Sequence, residues 1–275
     1  MEIRAPAVAG RFYPGTAAQI ADELRALMPP DTSPRVAVAV MCPHAGWVYS
    51  GKVAGHALTH VRVPQRVVVM CPNHTGRGAR VSVMTTGRWR TPIGEVPLDE
   101  ELGAALVEEA HDVRGTRDDS AAHASEHAIE VLVPMLAARQ PALRLTPVVV
   151  GPVDTAECTA LGLALARAVA RVRDEVLVVA SSDMSHYLPD PETRRRDRLA
   201  IDALLSGDEA RLMSVCEAND VSMCGVRPAA AMLAYARARG AAAPVLDGYA
   251  TSGDAFGDRD SVVGYAAVIV PAASS

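Results

Sequence analysis

The sequence predicts an α/β fold, built as a single-domain sandwich in which helices flank a mostly parallel or mixed central sheet. Strand segments alternate with helical segments along the chain, which is the pattern of layered α/β proteins. Several strand segments are uninterrupted apolar runs, as expected for strands buried on both faces of a sheet. The 275 residues, 49% of them hydrophobic, suffice for one large core. No linker-like stretch divides the chain, so we predict one domain over residues 1–275.

The first half of the chain predicts two buried strands and the helices around them. The first helix has apolar residues at helical spacing until Pro29-Pro30 ends it. After a polar loop over 112–122, we expect a helix to begin near Ser125 and to end or kink at Pro134. The other predicted elements are a helix over 16–28, strands over 36–42 and 67–71, a helix after Gly51, a hairpin or outlying strands within 80–98, and an acidic helix over 97–110.

The second half continues the alternation of strands and helices. The helix over 155–173 is amphipathic and carries arginines in its last turn, where positive charge suits the helix dipole. Asp190-Pro191-Glu192 predicts a helix start, so we interpret Arg194–Arg196 as a solvated helix face. The predicted elements are strands over 143–150 and 175–180, helices over 155–173, 191–206, 208–216 and 226–239, and strands over 244–250 and 261–270.

Composition argues against several classes of function. The net charge of -5 disfavours a nucleic-acid partner held by phosphate contacts. No apolar run approaches the ~20 residues of a membrane-spanning helix, and no segment has the pattern of a signal peptide. The cysteines lack paired spacing, which indicates thiols or metal ligands in a reducing compartment. We therefore expect a cytoplasmic protein with no nucleic-acid or membrane partner.

Two histidines directly follow the two buried strands. His44 comes after the first strand, and His74 comes after the second, beside Asn73, whose amide we expect to hold the ring. Because open α/β sheets bind ligands at the carboxyl ends of their strands, these two imidazoles are predicted to share a site. Neutral imidazole is the commonest metal ligand in proteins and suits zinc, iron and copper.

A third strand, over 175–180, runs into Asp183 and His186. A carboxylate beside a histidine fixes its tautomer and raises its basicity, so His186 is a candidate metal ligand or general base, with Asp183 as its support. Cys224 is predicted to lie just before a helix N-terminus, where the helix field lowers the pKa of a thiol. The other cysteines lie in or beside apolar runs and fit buried structural roles.

Further residues are candidates for the pocket around these groups. His123 and His127 have the i, i+4 spacing of a helical metal pair, and their segment fits the inverted H-x-x-E-H pattern. We interpret His127 and Glu130 as pocket residues or supports of ligands, with a purely structural role as the alternative. Trp47 and Tyr49 are expected to line an aromatic pocket because they neighbour the predicted site.

Motifs across nearly the whole chain resemble, in order, those of the Memo family, whose prokaryotic members are also called AmmeMemoRadiSam system protein B. Memo proteins are similar in fold to class III extradiol dioxygenases of the LigB type, so the resemblance implies a LigB-dioxygenase-like fold. The matching segments are residues 9–14, Pro43–Gly46, Tyr49–Gly51, Pro72–His74, Glu126–Glu130 with Pro134, Ser181–His186 and Cys224-Gly225.

The resemblance also implies a metal site. The dioxygenases hold a non-haem Fe(II) with two histidines and a carboxylate, and in the Memo family a cysteine replaces the carboxylate. Carried over to this chain, His44, His74 and Cys224 would be the metal ligands, His186 the acid/base histidine and Asp183 its support. Fe(II) is the first expectation, and Cu or Zn would also suit the softer thiolate.

The sequence leaves three functions open. The first is a metal-dependent oxidoreductase, non-haem iron and dioxygenase-like, acting on a small-molecule or peptide-derived substrate. The second is a hydrolase that uses zinc at the same ligands, or Cys224 as a nucleophile with His186 and Asp183. The third is a peptide- or protein-binding module without turnover. The family name also implies radical-SAM and AMME-type proteins as partners.

Overall fold

A nine-stranded sheet lies at the centre of the protein, in a computed structural model that describes residues 2–31 and 33–273. The strands are β1 (Ile3–Arg4), β2 (Ala37–Cys42), β3 (Arg66–Pro72), β4 (Val81–Val83), β5 (Arg88–Thr91), β6 (Gly94–Pro97), β7 (Thr116–Asp118), β8 (Arg144–Val150), β9 (Val176–Ser181), β10 (His186–Leu188), β11 (Val245–Thr251) and β12 (Val262–Pro271). The helices are α1 (Ala17–Leu27), α2 (Lys52–His60), α3 (Glu100–Glu109), α4 (Val133–Arg139), α5 (Thr155–Arg171), α6 (Asp190–Leu205), α7 (Glu209–Ala218), α8 (Val226–Ala238) and α9 (Ser252–Phe256), with a π-helical turn over Trp47–Gly51 before α2.

The strand order makes the sheet mixed. At its centre β2, β9, β3 and β8 are parallel neighbours, while β12 pairs antiparallel with β2 and β4 pairs antiparallel with β8. The full order is β10-β12-β2-β9-β3-β8-β4-β7, with β11 pairing with β12, and a separate small sheet has the order β1-β5-β6. The predicted fold class, a mostly parallel or mixed sheet flanked by helices, is confirmed.

Helices cover both faces of the sheet because its central strands are buried on both sides. Along β2, Met41 belongs to one core and Cys42 to the other, since successive side chains of a strand point to opposite faces. Helices α5 and α8 pack together on the first side. Gly162 permits this close approach, because a Cβ there would lie 2.5 Å from the Ala231 carbonyl oxygen.

The segment around Pro134 differs from the prediction. Within the described ranges no helix begins near Ser125, and residues 119–132 form mainly turns and bends. Pro134 neither ends nor kinks a helix but lies in the first turn of α4. Proline is tolerated there because the N–H groups of a first helical turn have no partner inside the helix.

The arginine cluster of α6 is tied to nearby acids. The helix begins at Asp190, with Pro189 at the cap position, so the residue predicted as the N-cap is itself helical. Within Arg194–Arg196 each guanidinium contacts Asp190 or Glu192. The pairs that Arg195 and Arg196 form with Glu192 are open to solvent, where ion pairs add little stability, which agrees with a solvated helix face.

Two expectations drawn from composition concern the cysteines and the membrane. Cys42, Cys71, Cys158 and Cys216 are buried free thiols, as predicted. Among residues 2–31 and 33–273, none of the helices combines the length and the apolar character that a bilayer crossing requires.

Candidate metal centre

Three loops meet at the carboxyl ends of the central parallel strands. His44 follows β2, His74 follows β3 and Asp183 follows β9, and these strands are neighbours in the order β2-β9-β3. Together with side chains from other segments of the chain, the loops line a cavity of about 880 Å³. The two histidines therefore reach one cavity, at the sheet edge where open α/β folds bind ligands.

Three imidazoles lie together in this cavity. One ring nitrogen from each of His44, His74 and His127 lies within 4.8 Å of the others. The ring centroids are 5.2 Å apart for His44 and His74, 5.5 Å for His44 and His127, and 4.6 Å for His74 and His127. A neutral imidazole offers one nitrogen lone pair, so this three-histidine group can hold a metal ion.

Ser181 and Glu126 set the orientation of the three rings. His44 Nδ1 lies 2.7 Å from Ser181 Oγ, whose own proton goes to a backbone carbonyl, so Nδ1–H is the donor. Glu126 Oε1 lies 2.9 Å from His74 Nδ1 and 3.3 Å from His127 Nδ1, and an ionised carboxylate only accepts. These contacts engage Nδ1 of each ring and so leave Nε2 as the nitrogen that carries the lone pair, as partners of metal-binding histidines commonly do.

Burial keeps these groups in the protonation states that a metal requires. Burial, reinforced by the neighbouring imidazoles, lowers the pKa of His44 well below its usual range, and burial also lowers the pKa of His127. Both rings are therefore neutral near pH 7. Burial acts to raise the pKa of Glu126, but hydrogen bonds from His74 and backbone N–H groups outweigh it and lower the pKa to about 2.

Cys224 touches the three-histidine group without belonging to it. Its Sγ lies 3.3 Å from His44 Nε2, but within the described ranges it is not among the side chains whose ligand atoms all lie within 4.8 Å of one another. Gly225 positions it, because a Cβ there would lie 2.4 Å from the Ser181 carbonyl oxygen. The predicted lowering of the thiol pKa is wrong: burial, reinforced by the charge of Asp183, raises the pKa of Cys224 and outweighs the helix N-terminus.

Asp183 and His186 both line the cavity, but no hydrogen bond joins their side chains in the described part of the chain. The Asp183 carboxylate accepts from the backbone N–H groups of His44 (2.8 Å) and Ala45 (3.3 Å), so it fixes the turn that carries His44. Burial raises the pKa of Asp183. His186 Nδ1 lies 3.0 Å from the Ser222 carbonyl oxygen, which makes Nδ1 the donor and leaves Nε2 free.

The other predicted pocket residues occupy different positions. Tyr49 lines the cavity, whereas Trp47 is buried and donates a hydrogen bond to a backbone carbonyl. The Asn73 amide bonds within its own loop and does not hold the His74 ring, a task that Glu126 performs. Glu130 is 1% exposed and accepts hydrogen bonds from the N-terminal segment. Its role is therefore the purely structural one, which the sequence left open as the alternative.

Four residues of the site lie outside the sequence predictions. Ser181 and Glu126 orient the histidines, while Phe12 and Tyr265 line the cavity. Phe12 comes from the N-terminal segment and Tyr265 from β12, and no spacing in the sequence connects either to the strand ends. Burial and the nearby charge of Asp183 raise the pKa of Tyr265, so its hydroxyl keeps its proton.

His123 does not form a helical metal pair with His127. It is fully buried, with Nε2 3.2 Å from the Ser82 carbonyl oxygen. Its Nδ1 has no hydrogen-bond partner among residues 2–31 and 33–273. The imidazole is thus a buried base outside the cavity rather than a ligand.

We expect His123 to make the fold sensitive to mild acid. Burial lowers the pKa of His123 from 6.5 to about 4, so between these values the unfolded chain binds a proton that the folded chain does not. Stability from this side chain is complete above pH 6.5 and is lost as the pH falls towards 4. His123 alone should contribute about 3 kcal/mol to the fall in the free energy of unfolding over this range, measured by urea denaturation.

The same urea measurements on variants separate this effect from other titrations. His123→Gln should show a smaller loss of stability over that pH range, whereas His111→Gln, at an exposed position, should behave like the wild type. An equal loss in His123→Gln and the wild type would contradict the assignment.

The family of the chain follows from a family model and from curated relatives. The model described as "Memo-like protein" matches residues 4–269. This chain belongs to the Memo family. A MEMO1 family protein of Methanopyrus kandleri is 39% identical, with 97% of this chain and 98% of the relative covered. Another, from Methanothermobacter thermautotrophicus, is 38% identical, with 96% and 99% covered.

A solved structure shares the fold of this Memo-family chain. The crystal structure of the uncharacterized protein JW3007 from Escherichia coli K12 superposes with a TM-score of 0.52 at 14% identity, and the match covers 83% of this chain and 98% of that one. At such low identity the likeness shows the fold alone. The Memo-family motifs themselves bring His44, His74, His127, Asp183 and Cys224 to one cavity.

Proposed function

We propose that the protein is a metal-dependent oxidoreductase, a non-haem iron enzyme of dioxygenase-like type, acting on a small-molecule or peptide-derived substrate. The observation that supports it is the three-histidine group, in which Nδ1 of His44, His74 and His127 is engaged and Nε2 is left to bind a metal. The adjoining cavity, about 880 Å³, lies within the size range of small-molecule sites.

The donor set fits a first-row transition metal. Imidazole nitrogens suit iron, copper and zinc, and the Cys224 sulfur, 3.3 Å from His44 Nε2, is the further donor that the family resemblance implies. A metal with three protein ligands keeps positions open for substrate. We favour iron because the family resemblance relates this site to the two-histidine, one-carboxylate Fe(II) site of the dioxygenases, with Cys224 in place of the carboxylate. Iron bound there supplies Lewis-acid and one-electron redox chemistry.

His186 is the residue placed to move a proton. Its Nδ1–H is engaged by the Ser222 carbonyl, so Nε2 is the atom that accepts and returns a proton during reaction. The Phe12 ring packs 4.9 Å from the His127 ring and excludes water from that side. Asp183 contributes by holding the His44 turn through two backbone hydrogen bonds.

The test is metal-dependent dioxygen consumption. The protein is purified without oxygen, stripped with a chelator, and reloaded separately with Fe(II) or Zn(II) before a small-molecule substrate screen on an oxygen electrode. We expect the Fe(II) form to consume dioxygen with at least one substrate and the Zn(II) form to consume none, because zinc has no redox chemistry.

Two outcomes would contradict the proposal. Failure of the Fe(II) form to consume dioxygen across the screen would remove the oxidoreductase assignment. Hydrolysis that survives chelation and is blocked by thiol alkylation would replace it with the Cys224 hydrolase. The raised pKa of the Cys224 thiol speaks against that second function, since thiolate is the nucleophilic form. A cytoplasmic location and radical-SAM and AMME-type partners stay predictions.

A further inference from the structure

Tyr265 is a buried tyrosine at the edge of the metal-site cavity. Its side chain is 2% exposed and lines the cavity. It lies on β12, three residues before Val268, which pairs with Met41 of β2. Because β12 and β2 are antiparallel, Tyr265 stands beside the turn that carries His44.

The Tyr265 hydroxyl is buried at the cavity without a hydrogen-bond partner among residues 2–31 and 33–273. Tyr13 and Tyr249 donate their hydroxyls to Glu130 and Asp197, and Ser252 at the cavity accepts from a backbone N–H. No group in residues 2–31 and 33–273 bonds the Tyr265 hydroxyl, yet it is not among the fully enclosed polar atoms left without a partner there. It therefore opens onto the cavity, where a ligand or solvent oxygen is its partner.

The side chains that line the cavity offer hydroxyl donors rather than fixed positive charges to a substrate oxygen outside the three-histidine group. The lining in the described residues includes Asp183 and Asp258 but neither lysine nor arginine. The neighbouring Arg259 is engaged by Asp190 and Asp254. Away from the metal ligands, a neutral donor such as the Tyr265 hydroxyl therefore suits an uncharged acceptor oxygen.

Aromatic side chains form the mouth of the cavity. Tyr49 and Phe256 pack with their ring centroids 4.9 Å apart, and both remain largely exposed, as does Tyr187. Tyr187 adopts a positive φ of 59°, a conformation that costs free energy for a residue other than glycine and that often marks a binding site. Exposed rings around a concave site favour a flat ligand.

We propose that the Tyr265 hydroxyl binds substrate, donating a hydrogen bond to an uncharged carbonyl or hydroxyl oxygen of a flat molecule held in this cavity. This rests on the proposed function, because it takes the cavity as the substrate site of the same centre. This hydrogen-bond donor, on the side of the cavity formed by β12, then fixes which edge of the substrate faces His44 and His186.

The test uses two probes of similar shape: benzamide, with an uncharged acceptor oxygen, and toluene, with none. Their affinities for the purified full chain are measured by ligand-observed NMR titration. Tyr265→Phe should weaken benzamide binding about 3- to 10-fold, the net effect of one hydrogen bond, and leave toluene binding unchanged.

A matched control is available in Tyr235→Phe. Tyr235 is 1% exposed and lines a different cavity, beside Val36 and Val176 at the opposite end of the strands, so its loss should not alter benzamide binding. Equal benzamide affinity in Tyr265→Phe and the wild type would overturn the proposal, as would absent benzamide binding. Metal content, measured on the same samples, reports separately on the proposed function.

Discussion

Replacing His44 and His74 with alanine together with Cys224 with serine is expected to abolish metal binding. The triple variant should hold the metal more than about 100-fold more weakly than the wild type, because changing a residue that merely supports a ligand already costs 10- to 100-fold. Metal content after anaerobic purification and the dissociation constant for added Fe(II) measure the effect. Unchanged metal content in the triple variant would contradict the assignment.

Single variants decide which side chain completes the set. His127→Ala should weaken Fe(II) binding strongly if the three-histidine group is the ligand set, and Cys224→Ser should do so if the sulfur beside His44 is the third ligand, as the Memo resemblance implies. His111→Ala serves as the control, since this histidine is exposed and remote. Metal loss in the control would mean that the measurement reports damage to the protein rather than loss of a ligand.

Replacing Glu130 with alanine is expected to lower the free energy of unfolding by about 3–5 kcal/mol, the cost of breaking a buried ion pair from one side. The Glu130 carboxylate accepts hydrogen bonds from the Arg4 guanidinium, from the backbone N–H groups of Ala7 (2.8 Å) and Val8 (3.0 Å), and from the Tyr13 hydroxyl (2.9 Å). Arg4 is 5% exposed, so its charge would remain buried without this counterion. Urea denaturation measures the loss.

The matched control for Glu130 is an exposed ion pair. Asp202 pairs with Arg198, and their side chains are 46% and 65% exposed, so Asp202→Ala should cost less than about 1 kcal/mol. Glu130→Gln keeps the size of the side chain and should fall between the two. A loss below about 1 kcal/mol in Glu130→Ala would show that the N-terminal segment does not depend on this carboxylate.

Glu130 also links stability to the site. The segment that it holds carries Phe12, which packs on His127, and the Phe12 carbonyl accepts a hydrogen bond from the Trp47 N–H at 2.7 Å. That bond ties the N-terminal segment to the π-helical turn after His44. Loosening the segment should therefore expose the three-histidine group to solvent as well as destabilise the fold.

The strand ends were predictable from sequence because their signals are local. An apolar run ending in Pro43 or Pro72 indicates a buried strand by itself, and the rule that parallel strands present their carboxyl ends together then brings His44 and His74 to one edge. Ser181 follows the same logic, since it ends β9 between those two strands. Its contact with the His44 ring could be predicted by asking which hydroxyl at this sheet edge faces His44 Nδ1.

The third imidazole and its support were harder to predict because they depend on a segment without regular structure. The i, i+4 spacing of His123 and His127 indicates a helix, but residues 119–132 form mainly turns and bends. These bury the His123 ring and leave the His127 ring at the cavity. Burial also decides the protonation state of the Cys224 thiol. The position of Cys224 before α8 was predicted correctly, but the direction of its pKa shift was not. The local position of a residue can be predicted from the sequence, but the dielectric around its side chain is set by the whole fold.

The most direct test of whether these side chains share one cation is anomalous X-ray diffraction from crystals of the anaerobically purified protein. The data are recorded on both sides of the iron absorption edge. We predict one anomalous peak within bonding distance of Nε2 of His44 and His74 and of a third donor from His127 or Cys224. The absence of a metal signal between those imidazoles, in crystals of protein shown to contain iron, would contradict this prediction.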